Sequence, residues 1–153
     1  MTSKIIPLAG EHIEQVFQII EALPDWFDID ARTRAMPIDL QFQKVYVAVN
    51  GDEIVGFITL YVADGRVNIG WLGVHPDHHR MGIGRQLVNA AEVYCRQKGI
   101  DELAVYTLGD SVDYEPYEST RAFYLKQGFT VFQRSETDNP GCPEEIKLKK
   151  YIS

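Results

Sequence analysis

The chain reads as one α+β (mixed α/β) domain built on a central, mostly antiparallel sheet of six to seven strands with helices on both faces. Three observations predict this. Short apolar runs and amphipathic helical segments alternate in the order strand, helices, three strands, helix, strand, helix, two strands. Two tight-turn sequences, Asn50-Gly51-Asp52 and Asp64-Gly65, join the three middle strands into an antiparallel meander. The strand–helix–strand unit from 67 to 108 demands a right-handed crossover and hence one parallel pair.

Lys4 to Leu8 is the first apolar run. From Gly10 to Leu23, Ile13, Val16, Phe17, Ile20 and Leu23 fall on one helical face, and Pro24 ends the segment. Asp25 is placed to cap a second helical stretch that reaches Met36, with Pro37 as its stop. Val45–Val49, Ile54–Ala63 and Val67–Val74 form the meander, closed by His75-Pro76-Asp77 because proline cannot donate to a ladder. Gly82–Lys98 is a helix with Ile83, Leu87, Ala90, Ala91, Tyr94 and Cys95 on its apolar face, and Gly99 ends it. Glu102–Leu108 is a strand, Ser119–Gln127 a helix stopped at Gly128, and Phe129–Arg134 and Glu145–Tyr151 the last antiparallel pair.

Length and composition suit a single domain: 153 residues, 45% hydrophobic and 24% charged, without repeats or linkers. No run approaches the roughly 20 apolar residues of a membrane helix, and the amino terminus has no signal-peptide character. Cys95 and Cys142 have no zinc spacing, no metal site is expected, and a reducing cytoplasm is the expected setting. Cys95 reads as a small core hydrophobe. The net charge of −7 argues against nucleic acid as a partner. Its distribution is uneven. Between 75 and 85, Asp77 is the sole acid beside Arg80, Arg85 and three histidines, whereas 110–118 holds Asp110, Asp113, Glu115 and Glu118 with no base. One basic turn on an acidic protein implies an anionic ligand at that turn.

That turn, His75-Pro76-Asp77-His78-His79-Arg80-Met81-Gly82-Ile83-Gly84-Arg85, leaves a strand and opens a helix. Gly82 and Gly84 let a ligand approach the backbone. Free amides and the positive end of the helix dipole favour phosphate, and Arg80 and Arg85 add charge. By itself a Gly-x-Gly turn has a plain reading as a tight loop. A triphosphate P-loop and a dinucleotide-fold fingerprint both fit worse.

Leu72-Gly73-Val74-His75-Pro76 through Gly82-Ile83-Gly84-Arg85-Gln86-Leu87 resembles the coenzyme A motif of the GNAT N-acetyltransferases. The Gln/Arg position of that motif falls on His79, with Arg80 one place later. Arg121-Ala122-Phe123-Tyr124-Leu125-Lys126-Gln127-Gly128-Phe129 resembles the family's second motif, and the order of elements matches over nearly the whole chain. The resemblance implies acetyl-coenzyme A (acetyl-CoA) as cosubstrate and transfer to a small-molecule or peptide amine. It implies splayed fourth and fifth strands with the pantetheine arm between them. Leu72, Gly73 and Val74 would pair with the arm, and His79 through Arg85, Met81 and Ile83 included, would hold the phosphates. An N–H near Val74 would face the developing oxyanion. Gly70 and Gly73 either mark the bulge that opens the strands or relieve crowding beside Trp71.

By the same resemblance Tyr124 is the general acid. The fourth strand, with Asn68, Gly70 and Trp71, lacks the carboxylate many relatives use as base. Glu115, Glu118 and Asp110 stand as candidates, and His75 reads as structural. The segment 113–118 is read as a loop lining an acceptor site that attracts cationic amines, with Asp25, Trp26, Phe27, Asp28 and Asp30 as its opposite wall or as a capped helix start. The alternatives are O-acyl transfer and a noncatalytic acyl-coenzyme A module. A monomer or homodimer is expected, acting without membrane or nucleic acid.

Overall fold

The computed structural model describes residues 3–109, 113–138, 140 and 142–153. Seven strands form one sheet: β1 (Lys4–Pro7), β2 (Lys44–Asn50), β3 (Glu53–Ala63), β4 (Arg66–Val74), β5 (Glu102–Leu108), β6 (Thr130–Glu136) and β7 (Glu144–Tyr151), in the spatial order β1-β2-β3-β4-β5-β7-β6. Every neighbouring pair is antiparallel except β4–β5. The crossover between those two is α3 (Ile83–Lys98).

The helices divide the core in two. On one face, α1 (Ile13–Glu21) and α2 (Met36–Phe42) bury Val16, Ile19, Ile20, Met36 and Leu40 against Val45, Val47 and Phe57. On the other, α3 and α4 (Glu115–Lys126) bury Leu87, Val88, Ala91 and Tyr124 against Ile58, Leu60, Leu103, Val105, Ile146 and Leu148. Cys95 is fully buried in this second cluster, and burial pushes its thiol up to about 11.

Three local readings are corrected. The side chain of Asp28, not Asp25, caps the second helical stretch, accepting from the Ala31 N–H at 2.8 Å. Pro37 does not stop that stretch. A wide turn over Ala31–Ala35, in which the Met36 N–H donates to the Ala31 carbonyl, delivers Pro37 into the first turn of α2, where a missing N–H costs nothing. Finally, α4 starts at Glu115 rather than Ser119, so residues 115–118 of the presumed acidic loop 113–118 are helix. Pro116 sits just inside its start and two acids lie in its first turn, both favourable there.

Candidate active site

The site lies where β4 and β5 part. They pair only through Val67–Leu103, Asn68–Ala104 and Ile69–Val105. Beyond Ile69 the β4 backbone bulges, so that Gly70 and Trp71 together oppose the single residue Thr59 of β3. The Trp71 N–H donates to Thr59 Oγ1 at 2.8 Å. A Cβ on Gly70 would stand 2.3 Å from Gln43 Oε1 and 2.6 Å from Thr59 Oγ1. Gly70 therefore serves both the bulge and the crowding, whereas Gly73 serves close packing on Phe57, 2.7 Å from a would-be Cβ.

The bulge also sets which backbone groups face the gap. The N–H groups of Trp71 and His75 point to β3. By alternation those of Leu72 and Val74 point away from β3, into the space β5 has left. The Val74 carbonyl is engaged by His79 Nε2 at 2.7 Å, and the His79 ring stands edge-on to Trp26. His79 thus braces the strand end, while the neighbouring side chains of Arg80, Met81 and Arg85 are exposed.

The turn into α3 is a cradle of amides. Arg80 and Gly82 both adopt left-handed φ, 66° and 78°. The first helical hydrogen bond runs from the Gln86 N–H to the Gly82 carbonyl, and the N–H groups from Arg80 to Arg85 have no acceptor among the described residues. Successive free amides on a kinked turn at the positive end of a 16-residue helix make an anion-binding concavity. Gly82 supplies the left-handed conformation. Gly84 has a different task, because its Cβ would meet the Phe123 ring at 3.1 Å, so it lets α3 and α4 pack closely. Ile83 is buried and contributes backbone only.

A cleft of about 200 Å³ opens between the strands. Trp71, Tyr106, Thr107, Tyr117, Tyr124 and Glu145 are among its walls, with Trp26, Phe27 and Cys142. Tyr124 is 4% exposed, no described residue bonds its hydroxyl, and burial raises its pKa well above that of an ordinary tyrosine. Arg121, one turn earlier, is buried and donates to the Leu108 and Gly109 carbonyls, which fixes α4 to the end of β5. Thr107 is 8% exposed, and its hydroxyl has no partner although it lines the cleft. A buried polar group of this kind is ordinarily satisfied by a water molecule or a ligand.

Glu115 and Glu118 are exposed on the first turn of α4 and do not line the cleft, whereas Tyr117 and Thr120 of the same helix do. Asp110 lies outside the described residues. Sequence reasoning missed Thr107, Tyr106, Cys142 and Glu145. Only the β5–β7 register, which sets Thr107 opposite Ile146 and Leu108 opposite Glu145, brings them to the gap.

A family model described as an acetyltransferase (GNAT) domain matches residues 41–131, more than half of the chain, from β2 through Tyr124 but without Trp26 and Phe27. The chain belongs to the GNAT acetyltransferases. Among solved structures, a GNAT-family protein from Desulfovibrio desulfuricans superposes with a TM-score of 0.85 at 17% identity, covering 99% of this chain and 100% of that one. The ribosomal-protein-S18-alanine N-acetyltransferase of Escherichia coli gives 0.76 at 14% identity, over 99% and 95%. A GNAT acetyltransferase from Elizabethkingia anophelis, solved with acetyl-CoA bound, gives 0.74 at 19% identity, over 99% of each chain. No curated protein matches by sequence. At these identities the structures share the GNAT fold, and the family match makes this chain an acyltransferase. Among the described residues no group of histidines, cysteines and acids is arranged to hold a metal ion, and no helix is long and apolar enough to cross a membrane.

Proposed function

We propose that this GNAT protein transfers the acetyl group of acetyl-CoA to a primary amine by direct attack. The observation that carries the reading is continuity. The free amides from Arg80 to Arg85 lead to the unpaired edge of β4 and then to the Tyr124 hydroxyl, along one face of the sheet.

These groups fit the coenzyme. The amide cradle, with Gly82 at its centre, suits the pyrophosphate, and exposed Arg80 and Arg85 supply charge-assisted contacts. Leu72, Gly73 and Val74 offer the arm a strand edge, and the Thr107 hydroxyl offers it a hydrogen bond from the β5 side. When bound, acetyl-CoA supplies an activated acetyl thioester. The Val74 N–H is placed to hold the thioester carbonyl oxygen, where negative charge grows during attack.

Tyr124 holds its proton at neutral pH and donates a hydrogen bond to the departing sulfur. A thiol ionises at about 8.5, well below the pKa of a buried tyrosine, so Tyr124 does not end the step as a tyrosinate: it gives its proton to sulfur only as it takes another. The proton that ends on sulfur therefore starts on the acceptor nitrogen, and Tyr124 stabilises and relays it. Glu115 and Glu118, exposed at the rim, draw a cationic acceptor by their charge without entering the cleft.

The test is calorimetric titration with acetyl-CoA followed by thiol release over a panel of amines. Saturable binding and amine-dependent release are expected; no heat of binding would refute the reading.

A further inference from the structure

We infer that the acceptor is a small primary amine on an aromatic body, and that Glu145 is the carboxylate that receives its ammonium group, which gives up one proton to water before the nitrogen attacks. This rests on the acetyl-transfer reading above.

The walls supply the first reason. Trp26, Phe27, Trp71, Tyr106 and Tyr117 line the cleft, and aromatic rings favour stacked or edge-on aromatic partners and attract cations.

The second reason is Glu145. It is the one carboxylate among the described residues that line this cleft. Ile146 and Leu148 of β7 pack into the α3–α4 core, so by alternation Glu145 faces the other side, where Trp26, Phe27 and Trp71 lie. No cation pairs with Glu145 among the described residues. Glu144 pairs with Arg134, and Lys147, two residues along the same face of β7, sits 4.5 Å above the Tyr106 ring of the cleft. A part-buried carboxylate beside aromatic rings is a favourable place for a cation.

The third reason separates a small amine from a peptide. Trp26 Nε1 donates to the Pro116 carbonyl at 3.0 Å, Tyr117 OH donates to the Trp26 carbonyl at 2.7 Å, and Tyr114 OH donates to the Asp25 carbonyl at 2.6 Å. Three hydrogen bonds thus latch the segment before α2 onto the start of α4. A polypeptide acceptor needs an open groove there, and a small molecule does not.

The experiment compares 2-phenylethylamine, spermidine and a free-amino tripeptide as acceptors for the full chain and for Glu145→Gln and Glu145→Asp. Phenylethylamine should lead in kcat/KM by about tenfold or more. Losing a hydrogen bond to a charged group costs about 10- to 100-fold, so E145Q should raise KM for phenylethylamine by that factor. Its kcat, melting temperature and acetyl-CoA affinity should hold, and E145D should recover part of the loss. A tripeptide or spermidine preference, or an unchanged KM in E145Q, overturns the inference. So does acetyl-CoA binding without turnover of phenylethylamine. Loss of acetyl-CoA binding by the unaltered chain would instead overturn the acetyl-transfer reading.

Discussion

Thr107 and Tyr124 show how much of this site is held in single hydroxyl groups. Thr107 is buried without a hydrogen-bond partner among the described residues, an arrangement that costs stability unless water or a ligand satisfies it. Thr107→Val should therefore weaken acetyl-CoA binding by roughly 3- to 10-fold, the worth of one neutral hydrogen bond, while the free protein melts no earlier. Calorimetry and a thermal melt read both. Tyr124→Phe removes only the oxygen facing the cleft. It should lower kcat by about 100-fold or more with little change in acetyl-CoA affinity, as expected for a group used in the transition state; an unaltered kcat would end the acid assignment. The two residues differed in legibility. Tyr124 stood out because it precedes Gly128-Phe129 at a fixed spacing. Thr107 looked like any strand threonine, because its lack of a partner exists only once β5 has lost β4. Glu145 was passed over because only the β5–β7 pairing brings it to the cleft, and the exposed acids near 115–118 drew attention through local charge alone.

Between elements, the decisive feature is the bulge on β4. It turns Leu72 and Val74 toward the gap and needs Gly70, because any side chain there meets Gln43 and Thr59. Gly70→Ala should destabilise the fold by about 1–3 kcal/mol through overpacking, seen as a melting temperature lower by roughly 2–4 °C per kcal/mol. A stability equal to the parent would show that the bulge is not pinned by this contact. The sequence placed both glycines on this strand but left their purpose open between bulge and crowding. Gly70 does both and Gly73 only the second. The helix boundaries teach a related point. Pro116 and the acids beside it are ordinary start signals for α4, yet they read as a loop next to an acidic run. Pro37 reads as a stop, and the wide turn before it converts it into a start. Proline marks a boundary reliably, but which side of it the helix lies on depends on the preceding turn.

For the molecule as a whole, the splay must be anchored at its closed end. Glu102 of β5 bonds Arg66 of β4 at 3.1 Å and Lys149 of β7 at 2.8 Å, tying three strands below the cleft. The Lys149 hydrogen bond, and then the nearby charges of Lys149 and Arg66, hold the Glu102 carboxyl below the usual carboxylate range. A depressed carboxyl stabilises the fold above its unfolded pKa of about 4.3, and that contribution is lost as pH falls through the folded value. Glu102→Gln should therefore melt below the parent at neutral pH, and the two melting curves should converge on acidification. A gap that persists at low pH would mean that the loss is one of packing.

The sequence by itself determined the family, the strand and helix order and the amide cradle at Gly82, because each is written in local spacing: periodicity, turn residues and two motifs in register. Only the tertiary structure decided how the cleft is walled. Thr107, Tyr106, Glu145 and Trp26 are distant in the chain and meet through the β5–β7 pairing and the latch onto α4. Burial, an unmet hydrogen bond and an unpaired charge depend on what the rest of the chain places beside a residue, and no local pattern carries them.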